Sequence, residues 1–142
     1  MFLGTHTPKL DDKGRFFLPA KYRDQMAAGL VVTRGQDHCL SVFPRATFEE
    51  RTQQMIQAPT TMRRVRDFQR MLAASASDEV PDKQGRVTIP AVLREYAGLE
   101  TEIVVVGAID RLEIWNPTSW ADYNAEKETE FAELNEEIFP VL

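Results

Sequence analysis

Residues 11–23 read DDKGRFFLPAKYR, and residues 82–94 read DKQGRVTIPAVLR. The two stretches lie 71 positions apart and have one framework: an acid, a Gly-Arg pair, an apolar run, a Pro-Ala pair and a final arginine. Six identities carry it: Asp11/Asp82, Gly14/Gly85, Arg15/Arg86, Pro19/Pro90, Ala20/Ala91 and Arg23/Arg94. Internal repeats decide the fold of a chain, and we interpret this one as two copies of one unit.

The similarity between the copies continues beyond the motif. After a one-residue insertion the register becomes 72, and it aligns Val32 with Val104, Gly35 with Gly107, Leu40 with Leu112, Val42 with Ile114 and Phe43 with Trp115. A unit of about 50 residues buries too little apolar surface to be stable alone. The copies are therefore expected to pack together around an approximate two-fold axis that relates the two Gly-Arg turns.

Each copy has the same predicted order of elements. An extended entry leads to the turn, where Gly14 or Gly85 can take a positive φ. A short strand (RFFLP or RVTIP) follows, then a short helix whose first turn is preset by proline, then two β-rich segments. The predicted class is mixed β/α, mainly β, in which the tandem units form a barrel with flanking helices.

A longer helix is predicted to close each copy. In the first copy it starts near Pro44, and Thr47 and Glu50 have the spacing of a capping box. In the second copy Asn116 is the predicted N-cap and Pro117 the first helical residue. One face then carries residues three or four positions apart, mostly apolar and opposite an acidic face: Trp120, Tyr123, Lys127, Phe131, Leu134 and Ile138.

Composition is that of a globular protein, with 43% apolar and 27% charged residues. No apolar run reaches the roughly 18 residues of a membrane span, and we expect a cytoplasmic protein. The net charge of −5 is uneven, since residues 121–142 contain seven acids and one lysine. The acidic C-terminal segment therefore does not exclude a basic surface elsewhere.

The sequence does not favour an enzyme, a metal site or a cofactor. His6 and His38 lack metal-binding spacing, and the cluster Asp37-His38-Cys39 does not recur in the second copy. Cys39 fits a buried position in a strand better than a reactive one. Neither turn has the several glycines of a nucleotide-binding loop, and each precedes a strand.

The repeated polar residues lie at the turns. Arg15 and Arg86 present planar donor forks, which suit bidentate contact with guanine or phosphate. Lys13 in the first copy, and Lys83 with Gln84 in the second, lie close enough to support them. For Asp11 and Asp82 we favour a structural role as acceptors within the turn, and for Arg23 and Arg94 exposed positions on the short helices.

This doubled motif, in a chain that opens MFLGTHTPKLDDKGR, resembles the MraZ family of bacterial transcriptional regulators. The resemblance implies tandem AbrB-like swapped-hairpin units in a pseudo-two-fold, double-psi-like β-barrel. It also implies a homo-oligomeric ring, an octamer or a dodecamer, that binds tandem short repeats in double-stranded promoter DNA at the nucleoid. The expected role is repression of the division and cell-wall gene cluster, including the chain's own promoter. Carried over by position, the DNA-reading residues are Arg15 and Arg86, and Lys13 and Lys83 are phosphate contacts; Gln84 stands where the first copy has Lys13.

The expected division of the chain is two repeats at 1–50 and 76–120, a connecting helical segment at 51–75 and an acidic helix at 121–142. In the connecting segment, Arg63, Arg66 and Arg70 share one helical face, which could track a DNA backbone. We favour a solvated or subunit-facing surface that pairs with acidic residues such as those of the C-terminal helix. Two other functions stay open: an AbrB-type antitoxin and a ring-forming scaffold that does not bind DNA.

Overall fold

The computed structural model describes residues 1–135. Its strands are β1 (Thr5–His6), β2 (Arg15–Phe17), β3 (Leu30–Arg34), β4 (Leu40–Pro44), β5 (Ser77–Glu79), β6 (Arg86–Thr88), β7 (Val104–Gly107) and β8 (Leu112–Trp115). Its helices are α1 (Arg23–Met26), α2 (Arg45–Ile56), α3 (Arg63–Ala74), α4 (Ala91–Ala97) and α5 (Pro117–Ala132), and a 3-10 turn at Ala20–Tyr22 precedes α1. None of these helices within residues 1–135 has the length and apolar character to cross a membrane.

All the strand pairs are antiparallel. Six strands form one sheet in the order β1-β7-β8-β4-β3-β5, and β2 pairs with β6 in a two-stranded ribbon. Because β1, β3 and β4 correspond to β5, β7 and β8 in the repeat, the sheet has the same order from either end. This symmetry, with the flanking helices, confirms the predicted mixed, mainly β class and its approximate two-fold axis.

The two copies exchange strands. β1 of the first copy pairs with β7 of the second, and β5 of the second pairs with β3 of the first. In the ribbon, Phe16 lies opposite its repeat counterpart Val87. The ribbon is extended by two equivalent bonds, from the Leu18 N–H to the Gly85 carbonyl at 2.9 Å and from the Ile89 N–H to the Gly14 carbonyl at 2.8 Å. Neither copy is therefore a complete unit.

One hydrophobic core serves both copies. Its members come from the ribbon, the short helices and the inner face of the large sheet, and the most deeply buried include Phe16, Leu18, Met26, Leu30, Leu40, Ile89, Leu93, Leu112 and Ile114. These residues occur in repeat-related pairs such as Leu18 and Ile89. The burial of apolar surface that stabilises one copy thus depends on the other.

The two predicted helix starts have different outcomes. The Asn116 side chain accepts the N–H groups of Thr118 at 2.9 Å and Ser119 at 3.1 Å, which confirms it as the N-cap of α5. The capping box predicted in the first copy was wrong, because α2 begins at Arg45 and Thr47 already lies within its first turn. Pro44, at the N-cap position, has φ −54° and ψ 142° and itself ends β4.

Helix α5 is only partly covered by the rest of the chain. Its first half packs on β8, where the rings of Trp120 and Tyr123 lie 5.3 and 4.9 Å from that of Trp115. Farther along, Phe131 is 79% exposed and Leu134 is also exposed. The apolar face predicted for this segment therefore extends past the packed part of the helix, and its last predicted member, Ile138, lies outside the described residues.

We predict that Gly107→Ala destabilises the fold by about 2 kcal/mol or more, as overpacking does. A Cβ at Gly107 would lie 2.5 Å from the Leu3 nitrogen and 2.6 Å from the Phe2 carbonyl carbon. These are backbone atoms that cannot rotate away, and the Gly107 N–H also donates to the Gly4 carbonyl at 2.8 Å. The substitution should push the N-terminal segment off β7, and urea unfolding measures the loss.

Gly98→Ala is the matched control. Gly98 has a φ of 63°, but a Cβ there would have no neighbour closer than 3.8 Å. Gly98→Ala should therefore lower the free energy of unfolding by about 1 kcal/mol, from left-handed backbone strain alone. A smaller loss for Gly107→Ala than for Gly98→Ala would contradict the prediction.

Candidate functional site

The turn of the first copy is closed by the carboxylate of Asp11. Its Oδ1 accepts the backbone N–H groups of Lys13 and Arg15, both at 2.9 Å. The Asp11 N–H donates to the Arg15 carbonyl at 2.8 Å, and the Gly14 N–H to the Asp11 carbonyl at 3.1 Å. Gly14 has a φ of 76°, in the left-handed region that favours glycine. The turn thus depends on an acid at its start and a glycine before the arginine.

The second copy has the same geometry with different loop residues. Oδ1 of Asp82 accepts the N–H groups of Gln84 and Arg86 at 2.9 Å, and Gly85 has a φ of 81°. The residues between the acid and the glycine differ completely in the two copies. The acid and the glycine are therefore sufficient to account for the common shape.

Each turn also orients its arginine. Nε of Arg15 donates to Oδ2 of Asp11 at 2.8 Å, and Nε of Arg86 donates to Oδ2 of Asp82 at 2.7 Å. Within residues 1–135 the terminal guanidinium nitrogens of both arginines make no hydrogen bond, and both side chains are about a quarter exposed, at 26% and 27%. One end of each donor fork is fixed, and the other is free for an acceptor outside the chain.

The same contacts keep the two carboxylates ionised. The backbone hydrogen bond from Arg15, helped by its guanidinium, holds the pKa of Asp11 below the usual 3.8. The Arg86 backbone and side chain do the same to the pKa of Asp82. Each turn therefore keeps its negative anchor at neutral pH.

The ribbon brings the two turns onto one face. Phe16 and Val87 point into the core, and side chains alternate along a strand, so Arg15 and Arg86 lie on the outer face. Arg15 is opposite Thr88 and Arg86 is opposite Phe17, which puts the arginines at diagonal corners. This arrangement can offer two charged donor forks at once to acceptors along a phosphate backbone or a row of bases.

The other predicted donors lie at the tips of the turns. Lys13, Lys83 and Gln84 are exposed, and within the described residues their side chains make no hydrogen bond. Lys13 is the repeat counterpart of Gln84, whereas Lys83 aligns with Asp12. The tips are therefore not equivalent in charge, although the turns below them are.

Arg23 and Arg94 were predicted as solvated helix residues. Arg23 is exposed and Arg94 is half-buried, but both also make contacts that the prediction lacked. Nε of Arg94 donates to the Ile89 carbonyl at 3.0 Å, and its guanidinium covers Gly14, where an added Cβ would be 2.8 Å from Cζ. Arg23 donates to the Leu18 carbonyl at 3.0 Å and covers Gly85 in the same way. Each turn thus rests on an arginine of the other copy. The only sign of this role in the sequence was that both arginines recur eight residues after the arginine of their own turn.

The arginines of α3 do not meet the acids of α5 within the described chain. Arg66 instead donates to the carbonyls of Thr60 and Thr61, at 2.9 and 3.0 Å, and so closes the loop before α3. Among residues 1–135, Arg63 and Arg70 have no ion pair, and Lys127 is the partner of the α5 acids Glu126 and Glu130.

Cys39 has the buried position that its strand context predicts. It is 1% exposed, its thiol donates to the Gln36 carbonyl at 3.2 Å, and burial raises its pKa to about 12. Such a thiol stays protonated and is a poor nucleophile. The neighbouring His38 stacks on Tyr96, with ring centroids 5.2 Å apart.

Comparison with known proteins gives a consistent set of relatives. A family model described as "MraZ protein, putative antitoxin-like" matches residues 1–71 and again residues 72–141. The "Transcriptional regulator MraZ" of Thermobifida fusca is 63% identical over 140 residues, which are 99% of this chain and 98% of that protein. Proteins of the same name from Cutibacterium acnes and Salinispora tropica are 60% identical over 98% of both chains and 55% identical over 100% of both.

The lowered pKa values of Asp11 and Asp82 predict an acid-sensitive turn. A carboxyl with a lower pKa in the folded state stabilises that state above its unfolded pKa, and the contribution is lost as the pH falls through the folded pKa. The bonds from Arg15 and Arg86 should persist from neutral pH down to about pH 4 and weaken below it. An NMR titration of these two backbone amides should give midpoints below 3.8.

Two asparagine substitutions separate the turn acid from its neighbour. Asp11→Asn removes the titrating group and should abolish the acid transition of the Arg15 amide. Asp12→Asn is the control, because the Asp12 side chain makes no hydrogen bond in the described part of the chain. Persistence of the Arg15 transition in Asp11→Asn would contradict the assignment.

Proposed function

Because this chain belongs to the MraZ family, we propose that it is a sequence-specific DNA-binding transcriptional regulator that reads promoter DNA with the β2–β6 ribbon. One observation carries the proposal: two aspartate-anchored arginines lie on the outer face of a single ribbon, with their terminal nitrogens free among the described residues. The name of the relatives, transcriptional regulator, agrees with this use.

The dimensions and the chemistry of the ribbon suit the major groove of DNA. That groove admits a two-stranded β-ribbon, and its most frequent specific contact is arginine to guanine O6 and N7. The bond from Nε to aspartate fixes each guanidinium before DNA arrives, which lowers the entropy lost on binding. Lys13 and Lys83 would contact phosphates on either side, and Gln84 would replace Lys13 in the second copy.

A single ribbon offers few cations, so affinity would come from several subunits bound at once. We infer a closed homo-oligomeric ring whose ribbons bind tandem short elements along one DNA molecule. Linked binding raises the effective concentration for each further contact. Elements about one helical turn apart would face the ring from one side of the duplex.

The exposed apolar residues support assembly between subunits. Phe68 and Met71 of α3 border a groove of about 410 Å³, and both are about half exposed. Phe131 of α5 is uncovered in the same chain. Arg34 lines the groove, and α3 carries four further arginines. Because α5 is acidic, the end of α5 from one subunit would complement the groove and α3 of the next. Head-to-tail contacts of this kind generate a ring when the rotation between successive subunits closes.

Each segment of the chain would then have its own role in the regulator. The repeats at 1–50 and 76–120 would form the DNA-reading body, and the segments at 51–75 and 121–142 would join subunits. The regulator would act in the cytoplasm, at the nucleoid, as a repressor of the division and cell-wall gene cluster that includes its own promoter. No cofactor is needed for any of these steps.

An antitoxin is the alternative that the description of the family keeps open. A toxin-like reading frame directly beside the gene would favour it. A scaffold that does not bind DNA is the other alternative, and it predicts that no salt-dependent binding to promoter DNA occurs. The free arginine termini on the ribbon favour the regulator.

We predict that Arg15→Ala and Arg86→Ala each weaken binding to the DNA upstream of the gene at least about tenfold, because each removes one bidentate contact. Electrophoretic shift and footprinting measure the loss, while thermal unfolding and native mass should stay unchanged. Lys9→Ala, which removes an exposed cation outside the two turns and outside the segments proposed to join subunits, is the control and should bind normally. Normal protection of the promoter by folded Arg15→Ala and Arg86→Ala proteins would refute this use of the ribbon.

We predict that Phe131→Ser and Phe68→Ser each shift the native mass from a ring toward single subunits, since each removes an apolar contact from the proposed interface. Both side chains are exposed in the chain, so the fold should be unaffected. The single subunits should keep their affinity for one element and lose the gain from tandem elements. Rings that survive both substitutions would place the subunit contact elsewhere.

A further inference from the structure

The outer face of the ribbon carries two residues besides the arginines. Phe16 and Val87 are each 1% exposed and face the core. Alternation along β2 and β6 therefore sends Phe17 outward with Arg15, and Thr88 outward with Arg86. Phe17 is 52% exposed. A large aromatic ring thus lies on the same narrow face as the two donor forks.

The register makes this face only partly symmetric. Phe17 is directly opposite Arg86, and Thr88 is directly opposite Arg15. Residues in such positions have Cβ atoms about 5 Å apart, so each arginine has one immediate neighbour across the ribbon. The two-fold axis exchanges Arg15 with Arg86 without changing the side chain, but it exchanges phenylalanine with threonine. Rotation of the ribbon by half a turn therefore preserves the positions of the two arginine side chains and moves the ring.

Packing within the chain does not account for the ring of Phe17. Single exposed apolar residues are common on protein surfaces, but this one adjoins two unpartnered guanidinium ends. Among residues 1–135, Phe17 takes part in no aromatic pair and no cation-π contact. An apolar side chain beside an arginine in the major groove can contact the C5 methyl group of thymine. The ring of Phe17 extends well beyond the strand, whereas Thr88 ends close to it.

We propose that Phe17 is a specificity-determining residue that contacts a thymine methyl group beside the base read by Arg86, and that it thereby sets the direction in which the ribbon lies on its DNA element. The inference rests on the proposed DNA-reading function. In the reversed orientation both arginines keep their bases, but Thr88 replaces the ring at the thymine. The element must then be asymmetric, and only one orientation gains the methyl contact.

The size of the effect follows from the contact. One buried methyl group corresponds to about a fourfold change in affinity. Loss of this contact is smaller than loss of an arginine, so a Phe17 variant should still bind DNA. Its signature is a change in which bases and which orientation are preferred, more than a change in overall affinity.

The test compares thymine with uracil, which lacks only the methyl group. In the DNA upstream of the gene, each thymine of one element is replaced in turn, and the affinity of the unsubstituted protein is measured. We expect one position at which uracil weakens binding about fourfold, and no such position for Phe17→Thr. Val80→Thr, which replaces an exposed apolar side chain just after β5, is the control and should keep the uracil effect.

The exchange of the two residues gives the sharper readout. Phe17→Thr combined with Thr88→Phe moves the ring to the other end of the face without changing its composition. This double variant should regain the uracil effect and favour the element in the opposite orientation, as footprints on a single asymmetric element would report.

The experiment distinguishes a failure of the Phe17 inference from a failure of the proposed function. If uracil has no effect at any thymine, or the same effect in Phe17→Thr, the inference is wrong while the regulator proposal stands. If Phe17→Thr leaves the uracil effect intact but changes the native mass, Phe17 is a subunit contact, and the inference is overturned. If the unsubstituted protein does not bind the DNA, the proposed function fails and this inference fails with it. The same holds if the Arg15→Ala and Arg86→Ala variants bind the DNA as tightly as the unsubstituted protein.

Discussion

The antiparallel pairing of β2 with β6 is the interaction on which the rest of the structure depends. It joins the two copies through Phe16 and Val87, and the bonds at its ends tie each strand to the turn of the other copy. Arg94 covers Gly14 and Arg23 covers Gly85, so each turn is packed by a residue from the opposite copy. The hydrophobic core and the candidate site are therefore stabilised by the same contacts between the two copies. A change that separates the copies would also separate the arginines, since within residues 1–135 the β2–β6 pair alone places them on one face.

Within each turn a small set of polar contacts performs two tasks. One carboxylate oxygen binds two backbone N–H groups and so fixes the path of the chain, and the other oxygen binds Nε and so fixes the side chain. Because the same aspartate does both, the position of the guanidinium is linked directly to the backbone. The residues at the tips take no part in this geometry. They are free to differ between the copies, as Lys13 and Gln84 do.

The sequence predicted the features that recur. The spacing of the motif gave the two-fold arrangement, the turn glycines and the outer arginines, because a repeat constrains both copies to one local structure. Contacts between the copies were not predictable in this way. Arg23 and Arg94 sit on short helices where a solvated arginine is usual, and only the exchange of strands brings them over the glycines. Phe17 lies in an apolar run, FFLP, in which the sequence does not reveal which ring faces outward. The start of α2 near Pro44 was predicted correctly, but the capping box was not, because Pro44 takes the N-cap position that Thr47 would have needed.

Strand exchange also constrains how the protein is made. The partner of β1 is β7, and β2 has no ladder until β6 exists, so a growing chain that ends within the first copy cannot complete any sheet around its N-terminal strand. At synthesis rates of about 5–20 residues per second, the apolar residues of the first copy wait seconds for their partners. During that interval they are available to chaperones or to other nascent chains. The ordering of the first copy is therefore timed by the translation of the second.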